Sequence, residues 1–309
     1  MRGSLSGLAF ALAFTPAVLA AQPPRPDAPF SRTVYISVAD KDGSPVSDLT
    51  AAELEIKEGG KTVIIDRAEV ASEPLQVALI VDDNGTGIFR VPLARFVGRM
   101  DGQAAMSLTS IVGQPKKLVQ LTPDMSVIMK ELASLGPRPG TPEGGQLLEG
   151  ISQAAVELDL LEAQRPVIIA LTVGGEEHST VHSDQVLDQL RKSGAALHVF
   201  SVERSALRST VAPGDGSGSL HPWGPGDLLQ ENMQLDRVLG EGPKQSGGRH
   251  RSIVATVGFL RDLQALASEL TWQYRVSYTL PPGAKPSERL NVSVKRKGLV
   301  VRAPSKLPT

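Results

Sequence analysis

The sequence predicts an α/β protein in which a doubly wound, mostly parallel six-stranded sheet stands beside a small β module made from the two flanks. Three observations carry this reading. Residues 75–81 (LQVALIV) and 167–171 (VIIAL) are continuous apolar runs, as strands buried on both faces require. Weaker runs over 105–112, 118–121, 197–202 and 253–256 alternate with amphipathic stretches over 90–100, 124–134, 143–158, 182–193 and 258–270, the pattern of a sheet covered by helices on both sides. Outside this block the period drops to two, over 33–39, 54–57 and 62–65 before it and over 273–280, 290–295 and 299–302 after it.

Taken in order, Met1 and Arg2 precede an apolar segment over 8–19 that ends at Ala20 and Ala21, the order of a secretory signal spanning 1–21. Pro16 interrupts the segment, which is also short of the ~20 residues that cross a bilayer. Cleavage is therefore expected after Ala20 or Ala21, with no transmembrane segment thereafter, leaving an exported protein, periplasmic or secreted. Residues 22–31 are a proline-rich tether, and 32–72 form the N-terminal β segment. Within the latter, Thr50 and Glu53 have capping-box spacing. The α/β domain is expected over 73–271 and the C-terminal β segment over 272–303. Neither flank has enough strands for a stable sheet of its own, so the two are expected to pack as one module.

Composition narrows the function. With 32 basic and 33 acidic residues the formal net charge is -1, which provides no global field to draw in nucleic acid. The chain has no cysteine, which excludes disulfides, thiolate metal sites and a cysteine nucleophile.

The most informative segment is Val81-Asp82-Asp83-Asn84-Gly85-Thr86-Gly87, where a buried strand runs into an oxygen-rich loop. In open α/β sheets ligands sit beyond the carboxyl ends of the strands, so this is where a site is expected. Here the chain resembles the von Willebrand factor A family, whose metal-ion-dependent adhesion site opens with D-x-S-x-S. Asp82, Asn84 and Thr86 stand at those three positions, and Thr141 matches the threonine of a later loop. The family's L-T-D-G reads Leu171-Thr172-Val173-Gly174, with valine in place of the carboxylate. The flanks, DKDGSPVSDLTAAELEIKEGGK and WQYRVSYTLPPG with LNVSVKRKGLVVRAP, resemble those of secreted bacterial proteins related to the same family. The resemblance implies strand order 3-2-1-4-5-6 with one antiparallel edge strand. It also implies recognition of protein ligands at the upper face, often through a cation that captures a ligand carboxylate. Loss of the aspartate implies a magnesium ion held weakly or not at all.

Residues 203–249 form a long insertion rich in Gly, Pro and Ser that leaves the fifth strand on the face of Asp82. Trp223, set among prolines and glycines, and Leu228 and Leu229, on a short amphipathic helix after an Asp227 cap, are its candidate apolar anchors for a partner; Asp83 and Glu176 are candidate polar contacts. The expected function is non-enzymatic: adhesion or scaffolding through another exported or envelope protein. The alternatives are a metal-dependent hydrolase using the i, i+4 pair His178 and His182, or a purely structural domain of an envelope assembly.

Overall fold

The computed structural model describes residues 30–137, 144–202, 225–253 and 256–308. The predicted signal segment, Thr141 and Trp223 lie outside the described residues.

The N-terminal flank forms β1 (Ser31–Ala39), β2 (Leu54–Glu58), β3 (Lys61–Thr62) and β4 (Ile64–Val70). The central block supplies β5 (Leu75–Asp82), β6 (Ala104–Val112), β7 (Gln114–Thr122), β8 (Pro166–Thr172), β9 (Ala196–Val202) and β10 (Arg249–Ile253). Its helices are α1 (Arg90–Arg99), α2 (Met125–Ser134), α3 (Leu147–Leu160), α4 (Ser183–Ser193), α5 (Pro225–Ser246) and α6 (Thr256–Thr271). The C-terminal flank adds β11 (Tyr274–Thr279), β12 (Leu290–Val294) and β13 (Val300–Arg302).

The six central strands lie in the order β10-β9-β8-β5-β6-β7, and only β7 runs antiparallel to its neighbour. The alternation along β5 explains why both faces are covered. Val77, Leu79 and Val81 pack with Phe96 of α1, Ile128 of α2 and Leu266 of α6, while Ala78 and Ile80 pack with Ile151 of α3, Val186 of α4 and Val238 of α5. Each fully buried Leu, Ile or Val contributes about 1.5–3 kcal/mol, so these two layers supply most of the driving force.

The flanks do combine. β13-β1-β11-β4 form one sheet and β12-β2-β3 another, both interleaving the two ends of the chain. Their shared core includes Ile36, Ile56, Val276 and Tyr278, whose hydroxyl donates to Glu58 Oε2 at 2.7 Å. At the Thr50–Glu53 corner, the Thr50 amide and hydroxyl both donate to Glu53 Oε2 at 3.0 Å. The module sits against the amino edge of the central sheet, where the amides of Ser305 and Lys306 donate to the Gln245 carbonyl and Arg191 pairs with Glu288 at 2.8 Å.

Three elements differ from expectation. β10 occupies 249–253 rather than 253–256, because an edge strand exposed on one side tolerates the polar run Arg249-His250-Arg251 that no apolar search detects. β4 continues to Val70 through Asp66 and Glu69, charged positions on a half-exposed sheet. The helix of the insertion spans 22 residues and begins at Pro225, whose missing N–H costs nothing in a first helical turn. Leu228 and Leu229 fall in this helix, with side chains outside the described part. Farther along, Val238 and Leu239 are buried against its own domain.

Candidate functional site

Asp82 is the last residue of β5, and its register partner is Thr172, the last of β8. Two central strands thus end side by side at the carboxyl edge. The Thr172 hydroxyl donates to Asp82 Oδ2 at 2.6 Å, and the Val173 amide donates to the Asp82 carbonyl at 2.9 Å. Asp82 is only 6% exposed. The segment following the Thr141 loop also reaches this edge: Gly145 bridges Gly113 on one side and Glu177 on the other. The approach there is close enough to require glycine, since a methyl group at Gly145 would sit 2.7 Å from Ile111 Cγ2 and 3.3 Å from Asp82 Oδ1.

Asp83, expected at the partner surface, turns inward and is 4% exposed. Its Oδ1 accepts from the Gly85 amide at 3.0 Å and its Oδ2 from the Gly87 amide at 2.7 Å, which closes the loop over its own carboxylate. Asn84 adopts φ +48° and donates through Nδ2 to the Gly174 carbonyl at 3.2 Å. The exposed Thr86 donates its hydroxyl to the Asp83 carbonyl at 2.8 Å. Glu176 is half-buried on the same rim, its carbonyl accepting from Gly145 at 3.0 Å and its carboxylate 3.8 Å from His178 Nε2.

Two participants carried weaker sequence signals. Thr172 lies inside the L-T-V-G run and holds Asp82 in place. Glu177 is buried, with Oε2 and Oε1 accepting from the Leu147 and Leu148 amides at 3.3 Å, so it caps the start of α3 from a loop about 30 residues away. Ser179 also donates its hydroxyl to Glu177.

A magnesium ion takes about six hard oxygens in near-octahedral order. Here Asp83 spends both carboxylate oxygens on loop amides, and the Asn84 and Thr86 side chains are donors to carbonyls. Val173 is 2% exposed and packs in the apolar layer, so the position that would carry the second acid is a packing position. Among the described residues no group of three or more His, Asp or Glu stands where it could hold a metal ion. The described residues do not fit a tightly held magnesium. His178 lies in a loop and His182 immediately before α4, so the i, i+4 spacing does not place the two on one helical face.

Burial pushes the Asp82 carboxyl up to about 6, against the pull of the Thr172 hydrogen bond and with the Asp83 charge adding to it. Burial lifts Glu177 to about 7, opposed by the Ser179 bond and assisted by Asp82. An acid whose folded pKa lies above its unfolded value binds its proton more tightly when folded. Its contribution to stability is therefore intact below the unfolded pKa near 4 and is lost as pH rises through the folded pKa. Asp82→Asn is accordingly expected to flatten the fall in stability between pH 4 and 7 by about 3 kcal/mol, since each pKa unit is worth about 1.4 kcal/mol. Urea unfolding midpoints across that range measure it; a slope equal to that of the parent protein would place the carboxylate in water.

No family model matches the chain, and no curated protein matches it. Among solved structures it is similar to the conserved hypothetical protein BatB from Bacteroides thetaiotaomicron, at 15% identity over 63% of this chain and 98% of that one, with a TM-score of 0.41. It is also similar to the manganese-loaded TRAP protein of Plasmodium vivax, at 10% identity over 76% of this chain and 95% of that one, TM-score 0.43. A third is the SpRpn10 VWA domain, at 16% identity over 62% and 93%, TM-score 0.38. Numbered from β5 the observed sheet reads 3-2-1-4-5-6 with its third strand antiparallel, and on that topology, with Asp82 at the carboxyl edge, the central domain has the von Willebrand factor A-type fold.

Proposed function

We propose that this is a non-catalytic, exported protein-recognition molecule that engages a protein ligand at the carboxyl edge of its central sheet without depending on a bound cation. The observation that carries this reading is the internal use of the loop's polar groups: Asp83, Asn84 and Thr86 are all bonded within the rim. Such a loop is a preformed surface rather than an open ligand set, and preorganisation lowers the ordering cost of association. Exposed Thr86 and half-buried Asn84 and Glu176 supply polar contacts on that surface. Trp223, Leu228 and Leu229 remain the proposed apolar anchors for the ligand.

The test is affinity capture from an envelope fraction with the full chain and with Thr86→Arg, each with and without chelator. We expect a specific set of proteins that survives chelation and is lost from Thr86→Arg. A set that vanishes with chelator and returns with magnesium would overturn the cation-independent part. A set unchanged in Thr86→Arg would overturn the location.

A further inference from the structure

The end of the sheet opposite Asp82 holds a cleft of about 180 Å³ where the β module meets the central domain. One wall is the start of β8 and the end of α4, with Val167, Leu187 and Leu190; the other is β1 and the C-terminal segment, with Val34 and Leu307. The larger part of the lining is apolar, and Gln164, Arg191, Ser193, Gln245 and Lys306 add polar groups to it. Arg165 also lines the cleft yet is only 5% exposed.

A buried guanidinium is costly unless its charge is matched. Arg165 donates from Nη1 to the Glu73 carbonyl at 2.6 Å and from Nη2 to the Leu270 carbonyl at 2.8 Å and Gln273 Oε1 at 3.2 Å. All three acceptors are neutral. The guanidinium also lies 5.5 Å from the centre of the Tyr35 ring, a further neutral partner. The Glu73 carboxylate is near enough for its charge to favour the Arg165 cation, but its ion pair at 3.2 Å is with Arg275. Among the described residues Arg165 has no ion-pair partner, and its Nε has no acceptor. Arginine keeps its charge even when desolvated, so the mismatch is not relieved by loss of a proton.

We propose that this cleft binds a small monocarboxylate with an apolar body, the carboxylate meeting Arg165 and the body resting against Val167, Leu190 and Leu307. Size supports the class: an apolar cavity of roughly 150 Å³ admits benzene, so 180 Å³ suits a ring or branched chain of similar bulk. A free organic acid and the terminal residue of a peptide share this chemistry. The site is independent of the recognition edge, because it lies at the opposite ends of the same strands.

The experiment is calorimetric titration and thermal melting of the full chain with benzoate, with N-acetylphenylalanine as a mimic of a peptide terminus, and with neutral benzyl alcohol. Binding raises the melting temperature in proportion to occupancy. Benzoate or N-acetylphenylalanine is expected to bind and raise it, with benzyl alcohol at least tenfold weaker. Binding to the free acid alone, or to the mimic alone, identifies the source. Arg165→Gln also loses anchoring bonds to Glu73 and Leu270, so the decisive variant is Thr33→Trp, an exposed position at the cleft mouth. It is expected to fold as the parent does and to bind at least tenfold more weakly. Equal affinity for benzyl alcohol, no binding of either acid, or undiminished binding in Thr33→Trp would each overturn the proposal.

Discussion

Glu269→Ala is expected to destabilise the protein by about 3–5 kcal/mol, the range for removing one partner from a buried ion pair. Glu269, near the end of α6, accepts from Arg302 Nε and Nη2 at 2.8 Å each, a two-pronged pair, and lies 3.3 Å from Arg249 Nη1 on β10. Arg302 belongs to β13, so one carboxylate ties the module to the edge of the central sheet. Its removal leaves two guanidiniums facing each other in a largely dry space. Burial by itself would raise the Glu269 pKa, but the Arg302 hydrogen bonds and the Arg249 charge outweigh it and hold the group below its ordinary value. A depressed carboxylate contributes stability above its unfolded pKa near 4.5 and loses it as pH falls through the folded value. Neighbouring His198 acts in the same direction: wholly buried, with its pKa lowered to about 4, it stays neutral while the unfolded chain takes up a proton below about 6.5. Acidification therefore loosens this junction while it relieves Asp82 and Glu177 at the other end of the sheet. Urea unfolding at pH 7 and pH 4 tests the claim. Glu269→Ala should lose most at pH 7, and Glu269→Leu combined with Arg302→Leu should recover part of the loss. A single-variant cost below about 1 kcal/mol, the size of an exposed pair, would show the junction to be wet.

The buried parallel strands were legible because burial on both faces leaves one pattern, an unbroken apolar run, which 75–81 and 167–171 both show. Strands exposed on one side leave weaker marks, and β10 and the second half of β4 were misplaced or cut short for that reason. At the recognition edge, the position of Asp82 and the apolar substitution at Val173 could be read from neighbours in sequence. The inward turn of Asp83 could not, because in Asp82-Asp83-Asn84-Gly85 either carboxylate has the right spacing to gather loop amides. Which one does is decided by Thr172, 90 residues away, which occupies Asp82. Glu177 was equally opaque as a cap, since the amides it serves belong to a helix that precedes it in the chain. Arg165 and Glu269 gave no signal at all: an isolated charge in a helix or loop reads as surface until its partners are known.

The second large effect is expected at Gly248→Ala, which should cost about 3 kcal/mol or more, at or above the upper end of ordinary overpacking. Gly248 immediately precedes β10 and lies against Leu197 of β9, where an added methyl carbon would stand 1.9 Å from the Leu197 carbonyl oxygen and 2.5 Å from its carbonyl carbon. Both atoms are backbone, so no rotamer change relieves the overlap; either β10 moves out of register or β9 bends. The same turn is crowded from the other side, because a methyl on Gly247 would lie 2.7 Å from the Pro304 nitrogen. Displacing this turn thus weakens both the sheet edge and the seat of the C-terminal segment, and the Arg249–Glu269 pair one residue on moves with it. Gly240→Ala is the matched control: it lies in α5 with nothing within 4 Å of its added methyl, so it should stabilise by about 0.5–1 kcal/mol through lower chain entropy and better helix propensity. Thermal and urea unfolding of the two variants would show opposite shifts if the close approach at Leu197 is what demands glycine. Equal shifts would mean the two glycines act only through the unfolded chain.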